Sequence, residues 1–482
     1  MHRVFFRNLA FLVSLNLVIK PIWIFGIDRT VQNVVGASGY GIYFVLTNLS
    51  LLTQIILDLG ISSYNNRLIA QQEHLLTRQL SHVFSIKLIL SGIYLLITVA
   101  AALILNYTGH SLFLLFMICV NQILASLITY VRSNISALHH FKVDSTFSVM
   151  DKALMILICG TMLYVPSLKS QFIIDWFVYA QLVSYLITLA GALIYVLNIS
   201  GKIPLNFSFS FSIDLLKSVF PFALLIALMM IYGRIDGVMI EKLLPVDGER
   251  EAGLYASAFR LIDAFNQFGF LFSMLLLPIF SRMISTKQNI ERLAVSGFTV
   301  IHISAVIICT GTWFFAGNIM HLLYTEGTDY SAEILRILML SILGSTTIYI
   351  FSTLLTASNN LRQLIYVAVC AVILNFLSNR ILIPHFKALG SAMAAATTQI
   401  GVGCAHLLIS IFIFKFHVNK LLILKIVLFA ASCILIFWIM KSAPISWLIS
   451  LVTGSILCVL SAFVLRLVEV KKITGLILRS DQ

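Results

Sequence analysis

Acidic residues are scarce in this chain: 19 Asp and Glu stand among 482 residues, against 32 Lys and Arg. Charged residues of both signs reach only 11%, where a soluble domain carries about 25%. That shortage excludes an ordinary water-soluble enzyme. The seven cysteines stand singly in apolar surroundings, with no C-x-x-C pair and no Cys/His ligand spacing, so neither a disulfide framework nor a metal site is expected. No G-x-x-x-x-G-K-[ST] loop occurs, which argues against an ATP-driven pump, and no H-E-x-x-H pair occurs among the histidines. Long hydrophilic connections are missing too. A membrane-embedded polymerase or ligase would need such a loop for its catalytic carboxylates, so covalent chemistry is not expected.

What the chain has instead is apolar length. Hydrophobic residues make up 60% of it, in fourteen runs near 8–27, 40–60, 83–105, 111–131, 147–166, 171–197, 217–240, 254–279, 294–316, 334–357, 363–383, 389–414, 421–440 and 445–467. About 20 apolar residues span a bilayer as helix, and lone strands cannot satisfy their backbone groups in lipid. The expected fold class is therefore an all-α polytopic membrane protein with about fourteen transmembrane helices. The first run follows Arg3 and Arg7 but lacks a small-x-small cleavage site, and is read as a retained helix.

The net charge of +13 is mostly topogenic. With the N-terminus inside, nineteen of the 32 basic residues fall in connections on that side and seven on the other, while the outer segments around Glu249 and Glu326 are acidic. This bias places both termini in the cytoplasm and removes nucleic acid as a partner.

Two stretches echo each other at an offset of 212–220 residues. Gly39-Tyr40-Gly41-Ile42-Tyr43 pairs with Gly253-Leu254-Tyr255, and Ser136–Lys142 pairs with Thr356–Arg362. The chain accordingly reads as a six-helix lobe over 1–205, a second over 206–420, and two further helices with a cytoplasmic tail over 421–482. Repeated halves with a site between them characterise transporters. Both halves start inside, so they are parallel.

A charge at the bilayer centre costs about 2.5–3.5 kcal/mol on insertion scales, so it should face a wet cavity or a partner. Lys20 lies well inside the first run, one turn after Asn16 and just before the kink-forming Pro21. On the eighth run Ser257, Arg260, Asp263, Asn266 and Gln267 recur at helical spacing. Arg234 and Asp236 close the seventh, and Gln54 and Asp58 share a face of the second. Arg260 with Asp263 also fits an intrahelical ion pair, and Arg234 with Asp236 fits snorkelling to the interface. Helix-end capping and ion coupling both fit Asp58. Lys87, Lys152 and Arg336 lie near helix starts and read as interfacial anchors.

Three segments carry a family resemblance. Val35-Gly36-Ala37-Ser38-Gly39-Tyr40-Gly41-Ile42-Tyr43 resembles the G-x-x-x-[YF]-G-x-[YF] stretch of polysaccharide flippases. Asp236 followed by Gly253-Leu254-Tyr255-Ala256-Ser257-Ala258-Phe259-Arg260-Leu261 is similar to their D…G-x-Y-x-x-A-x-R-[LI] segment. Leu374-Asn375, Ile381–Pro384 and Leu389–Ala394 resemble their LN…lIP…G-x-x-G-A-A-x-A stretch, with Phe386-Lys387-Ala388 in place of a Gly-containing turn and Ser391 where Gly is usual. The chain thus resembles the polysaccharide-exporter (O-antigen repeat-unit) branch of the superfamily that also holds MATE-type multidrug exporters and lipid II flippases. The resemblance implies MATE-like lobes around a cavity open alternately to each side of a bacterial cytoplasmic (inner) membrane. It also implies a polyprenyl-diphosphate-linked oligosaccharide as substrate, flipped outward for surface polysaccharide or lipopolysaccharide synthesis. By position, Lys20, Arg260 and Arg234 would engage the diphosphate, with Asn16, Gln54, Asp263 and Gln267 lining the cavity. No cofactor is implied beyond a coupling ion, H+ or Na+, for which Asp263, Asp236 and Asp58 are the candidates. Membrane lipid and polysaccharide assembly proteins are the implied partners. Small-molecule export of the MATE type is the alternative, and it would require an acidic site.

Overall fold

The computed structural model describes residue 15 and residues 18–72, 74, 76–201, 209–417 and 419–467. Asn16, the start of the first run and the C-terminal tail lie outside the described residues. Apolar sequence in lipid leaves helix as the open choice for a spanning segment, and helix is what forms. The helices are α1 (Arg29–Thr53), α2 (Ile61–Gln71), α3 (Leu76–Ile104), α4 (Gly109–Ala137), α5 (Phe141–Tyr164), α6 (Ile174–Ser200), α7 (Phe209–Leu243), α8 (Gly248–Ser285), α9 (Glu291–Leu323), α10 (Asp329–Ala357), α11 (Leu361–Phe414), α12 (Lys420–Ser442) and α13 (Trp447–Val464).

Among the described residues twelve continuous helical stretches are long and apolar enough to cross a membrane. Two of them, Val18–Gln71 and Leu361–Phe414, run for 54 residues each, far beyond the ~20 that one crossing needs. Both are interrupted. Gly36 takes φ 77 and ψ 171 inside α1, and Lys387 takes φ 54 and ψ −134 inside α11. Each long stretch thus covers two of the apolar runs, and the count of about fourteen stands.

The chain divides between Ala256 and Ser257 into two compact units. In the first, α4 packs on α6, α1 on α7 and α5 on α6. Its apolar core includes Val83, Leu127, Tyr130 and Ala192. In the second, α10 is central, with 72% of its most apolar window buried against α9 and α11. By contrast α12 is largely exposed and packs with α13 on α9 through Phe315, Phe437 and Cys458. Large apolar side chains such as Leu96, Ile104, Phe412 and Val464 are strongly exposed, while Asn48, Asn134, Thr188, Asn375 and Asn379 are buried. Polar inside and apolar outside is the arrangement for a lipid solvent.

The two echoed segments Ser136–Lys142 and Thr356–Arg362 both close a helix with the same kind of turn. After α4, His139 takes φ 60, and its N–H donates to Ser136 O at 3.0 Å while His140 N–H donates to Ile135 O at 3.2 Å. After α10, Asn359 takes φ 61, and its N–H donates to Thr356 O at 3.0 Å while Asn360 N–H donates to Leu355 O at 2.9 Å. The same turn also ends helices at Asn106, Lys287 and Arg466, so it is a general helix stop in this chain and not a mark of the repeat.

Candidate functional site

Pro21 lacks the N–H that would continue a regular ladder, and the chain after it winds as a wide π-helical turn over Ile22–Asp28. Lys20 sits half-buried at the mouth of this irregular segment, within electrostatic range of Lys152, Asp151 and Arg132. Lys152 lies midway along α5 and is held by side chains of its own and other helices. Its ammonium donates to the Tyr185 hydroxyl at 3.4 Å, pairs with Asp151 Oδ2 at 3.1 Å, and lies 5.2 Å over the Trp23 ring and 5.4 Å over that of Tyr185. Trp23 in turn stacks on Phe177, with centroids 5.7 Å apart. Arg132 Nε donates to Asp144 Oδ1 at 2.9 Å. The first unit therefore holds Lys152 and Asp151 against the Trp23 and Tyr185 rings, with Lys20 and the Arg132–Asp144 pair within electrostatic range, all within or beside helices of membrane-spanning length.

Gln54 and Asp58 lie where the second crossing ends. Gln54 Nε2 donates to Gln122 Oε1 at 3.3 Å. Asp58 pairs with Lys87 Nζ at 2.6 Å, and Lys87 is only 1% exposed, so it too is an internal group and not an anchor.

Asp236 is buried and accepts the Tyr255 hydroxyl at 2.8 Å; Asp28 is buried likewise, with both its oxygens 2.9 Å from the Tyr40 hydroxyl. Arg234 is half-buried two residues before Asp236. The glycines of the same motifs have a steric role. A Cβ on Gly253 would overlap the Ala37 carbonyl oxygen and lie 2.7 Å from its carbon. A Cβ on Gly41 would overlap the Glu249 carbonyl oxygen and lie 2.9 Å from Gly253 N. Here α1 and the first turns of α8 cross backbone to backbone, and Gln32 Nε2 clamps the crossing with a 2.9 Å bond to Gly253 O.

In the second unit Arg260 Nη1 stands 4.0 Å from Asp263 Oδ2, the i,i+3 pair anticipated from spacing, with both side chains about a quarter exposed. Gln267 is exposed one turn further along α8. Lys20, Gln54, Asp58, Arg234 and Asp236 thus belong to one unit, and Arg260, Asp263 and Gln267 to the other.

The third motif forms the turn of a helical hairpin. Asn379 Nδ2 donates to Asn375 O at 3.0 Å, and Ser391 Oγ donates to Asn379 Oδ1 at 2.8 Å across the Lys387 break; all three residues are fully buried. The serine standing where Gly is usual therefore supplies a bond that Gly could not.

Residues 5–284 match the profile of a family described as polysaccharide biosynthesis protein, which covers more than half of the chain. The chain belongs to this family. Among solved structures it is similar to the lipid II flippase MurJ in its inward closed conformation, at TM-score 0.72 and 14% identity over 94% of this chain and 98% of that one. It is also similar to an inward-facing multidrug resistance MATE family transporter of the MOP superfamily, at TM-score 0.55 and 14% identity over 83% and 94% of the two chains. A MATE transporter in complex with MaD3S matches at TM-score 0.52 and 14% identity, over 85% and 93%. At such identities the likenesses establish the fold, that of the MOP (multidrug/oligosaccharidyl-lipid/polysaccharide) exporters. A comparison with curated proteins finds no match.

For this polysaccharide biosynthesis family member, spacing along one helix exposed Arg260 with Asp263 but could not reveal Lys152 or Lys87. Their hydrogen-bonding partners are 29 to 39 residues away on other segments, or are an adjacent acid whose direction depends on helix rotation. The usable signal was weak: Lys87 has no acid within one turn on its own helix.

Proposed function

We propose that this protein flips polyprenyl-diphosphate-linked oligosaccharide repeat units from the cytoplasmic to the outer leaflet of a bacterial inner membrane, for surface polysaccharide synthesis. Family membership supports polysaccharide export in general. The observation that carries the substrate class is the Lys20–Lys152–Arg132 cluster beside Trp23 and Tyr185 in helices of membrane length. A diphosphate needs cations, which bind it by charge-assisted hydrogen bonds, and Lys serves as a point charge for this. Aromatic faces suit the apolar sides of sugar rings. Arg260, paired with Asp263 in the second unit, is a further candidate for the diphosphate by its place in the family motif. Arg234 is the third and weakest candidate.

In this reading lobes 1–205 and 206–420 alternate in access, residues 421–482 are accessory, and both termini are cytoplasmic because basic connections favour that side. The protein forms no covalent bond with its cargo and delivers it to polysaccharide assembly proteins. The coupling candidates for H+ or Na+ are Asp263, Asp236 and Asp58, and each has a partner, Arg260, Tyr255 and Lys87 respectively, that an ion or proton would have to displace. A MATE-type exporter of organic cations would want carboxylates in excess, and the cluster in the first unit has cations in excess.

The test is complementation of a deletion strain by wild type, Lys20→Ala, Lys152→Met and Arg260→Ala at matched protein levels. Loss of one charged hydrogen bond of about 1.5–3 kcal/mol lowers substrate affinity about tenfold or more. Surface polysaccharide should fall accordingly while the lipid-linked precursor accumulates inside. Wild-type polysaccharide from the Lys20 and Lys152 variants would overturn the assignment, and short chains in place of missing ones would point to a polymerase.

A further inference from the structure

The end of the second crossing is built like an ion site. After Thr53 the helix tightens into a 3-10 turn over Gln54–Leu57, and the chain passes through Leu59 at φ 48 and Gly60 at φ 85 before α2 begins. The break diverts one backbone bond. Ile61 N–H donates to Asp58 O at 2.7 Å, so the Leu57 carbonyl four residues back loses its helical donor. A carbonyl freed inside a bilayer must find another partner. Lys87 Nζ donates to it at 3.1 Å and Ser126 Oγ at 3.1 Å. The same ammonium donates to Asp58 Oδ1 at 2.6 Å and to Ser126 Oγ at 2.9 Å, and it lies 5.7 Å over the Tyr130 ring. Ser62 Oγ donates to the same carboxylate.

An ammonium has three N–H donors, and each here meets one oxygen of a different kind: carbonyl, carboxylate, hydroxyl. Unwound carbonyls with a carboxylate and a hydroxyl are also the oxygen set that holds alkali cations in broken transporter helices. We propose that Leu57 O, Asp58 and Ser126 Oγ form a monovalent-cation site whose occupant is the Lys87 ammonium, a cation tethered to the chain. Lys87 is thus a positioning residue: it closes the break at Leu57–Gly60 without an exchangeable ion. Coupling to an external ion then has to run through other carboxylates. The inference does not depend on the substrate. Asp58 is one-third exposed, and this gives a solution ion a way in once the tether is removed.

The test compares melting temperatures of the purified full chain in detergent, in NaCl, KCl and choline chloride at equal ionic strength. Wild type should show no cation-specific stabilisation that depends on Asp58. Lys87→Ala opens the cage: it should melt several degrees lower in choline and recover most of the loss in NaCl or KCl. Lys87→Met keeps the apolar stem and fills the space, so it should be destabilised with no salt-specific recovery. The double variant Lys87→Met/Asp58→Asn removes both charges, and it should be more stable than Lys87→Met alone and equally blind to the salt. Equal melting of folded Lys87→Ala in all three salts would overturn the proposal and leave a plain ion pair. So would failure of Lys87→Ala to fold in every salt while the double variant folds. A cation-specific stabilisation of wild type that Asp58→Asn abolishes would overturn it from the other side, since an ion would then bind beside Lys87.

Discussion

Replacing Gly253 by alanine puts a methyl group where another helix's backbone already stands. The new Cβ would overlap the Ala37 carbonyl oxygen and come within 2.7 Å of Ala37 C and 3.0 Å of Ala37 Cα. Carbon atoms pack at about 3.5 Å or more, so α1 and α8 must part locally by about 1 Å. No rotamer change can relieve this, because the obstructing atoms are backbone. Overpacking costs about 1–3 kcal/mol, and a site with no soft neighbour belongs at the upper end. Parting also lengthens the 2.9 Å bond from Gln32 Nε2 to Gly253 O, worth about 1 kcal/mol. Alanine's better helix propensity returns about 1 kcal/mol. The net is a destabilisation of about 3 kcal/mol. Gly92→Ala is the control: it sits in α3 with nothing within 4 Å of its Cβ position, and it should be neutral or gain up to about 1 kcal/mol. The assay is reversible unfolding of the full chain in mixed micelles, with Gly41→Ala and the double variant completing a cycle. Once one methyl has parted the helices the second enters the same gap, so the double variant should cost less than the two singles together. Gly253→Ala unfolding like Gly92→Ala would refute the crossing geometry, as would strictly additive costs.

Lys387 holds φ 54 and ψ −134 at the turn inside α11, a conformation that favours glycine. Lys387→Gly should therefore stabilise the protein by about 1 kcal/mol, read as a higher midpoint in the same unfolding assay; a lower midpoint would show that the lysine side chain outweighs its backbone cost. Asn379→Ala leaves Ser391 Oγ without its 2.8 Å acceptor inside a buried network, and it should cost about 1–3 kcal/mol. Asn379→Ala combined with Ser391→Ala should recover part of that loss, because Ser391 Oγ is then no longer left without its acceptor, while Asn375 Oδ1 still lacks the Asn379 donor; an equal or larger loss in the double variant would contradict the network.

Much of the fold was legible because hydropathy is local. Each apolar run must be helical in lipid wherever it packs, so about fourteen crossings could be read without any contact between them. The i,i+3 pair of Arg260 and Asp263 was legible for the same reason, since one helix's own geometry brings the two together. Pro21 announced an irregular segment because the missing N–H acts on its own turn. The break at Leu57–Gly60 was not legible: its carbonyl is met by Lys87 and Ser126, 30 and 69 residues along the chain.

The sequence by itself determined the membrane class, the approximate helix count and the family, all of which follow from composition, run length and short ordered motifs. Only the tertiary structure decided which charges are neighbours. It moved Lys152 from a helix-end anchor into the group around Lys20, and Lys87 from an anchor into a buried oxygen cage. It also showed that Gly41 and Gly253 mark the contact of two backbones. The physical reason is the same in each case. Hydropathy gives a residue's depth in the membrane, whereas its partner depends on the rotation of its helix, and rotation is set by packing against other helices.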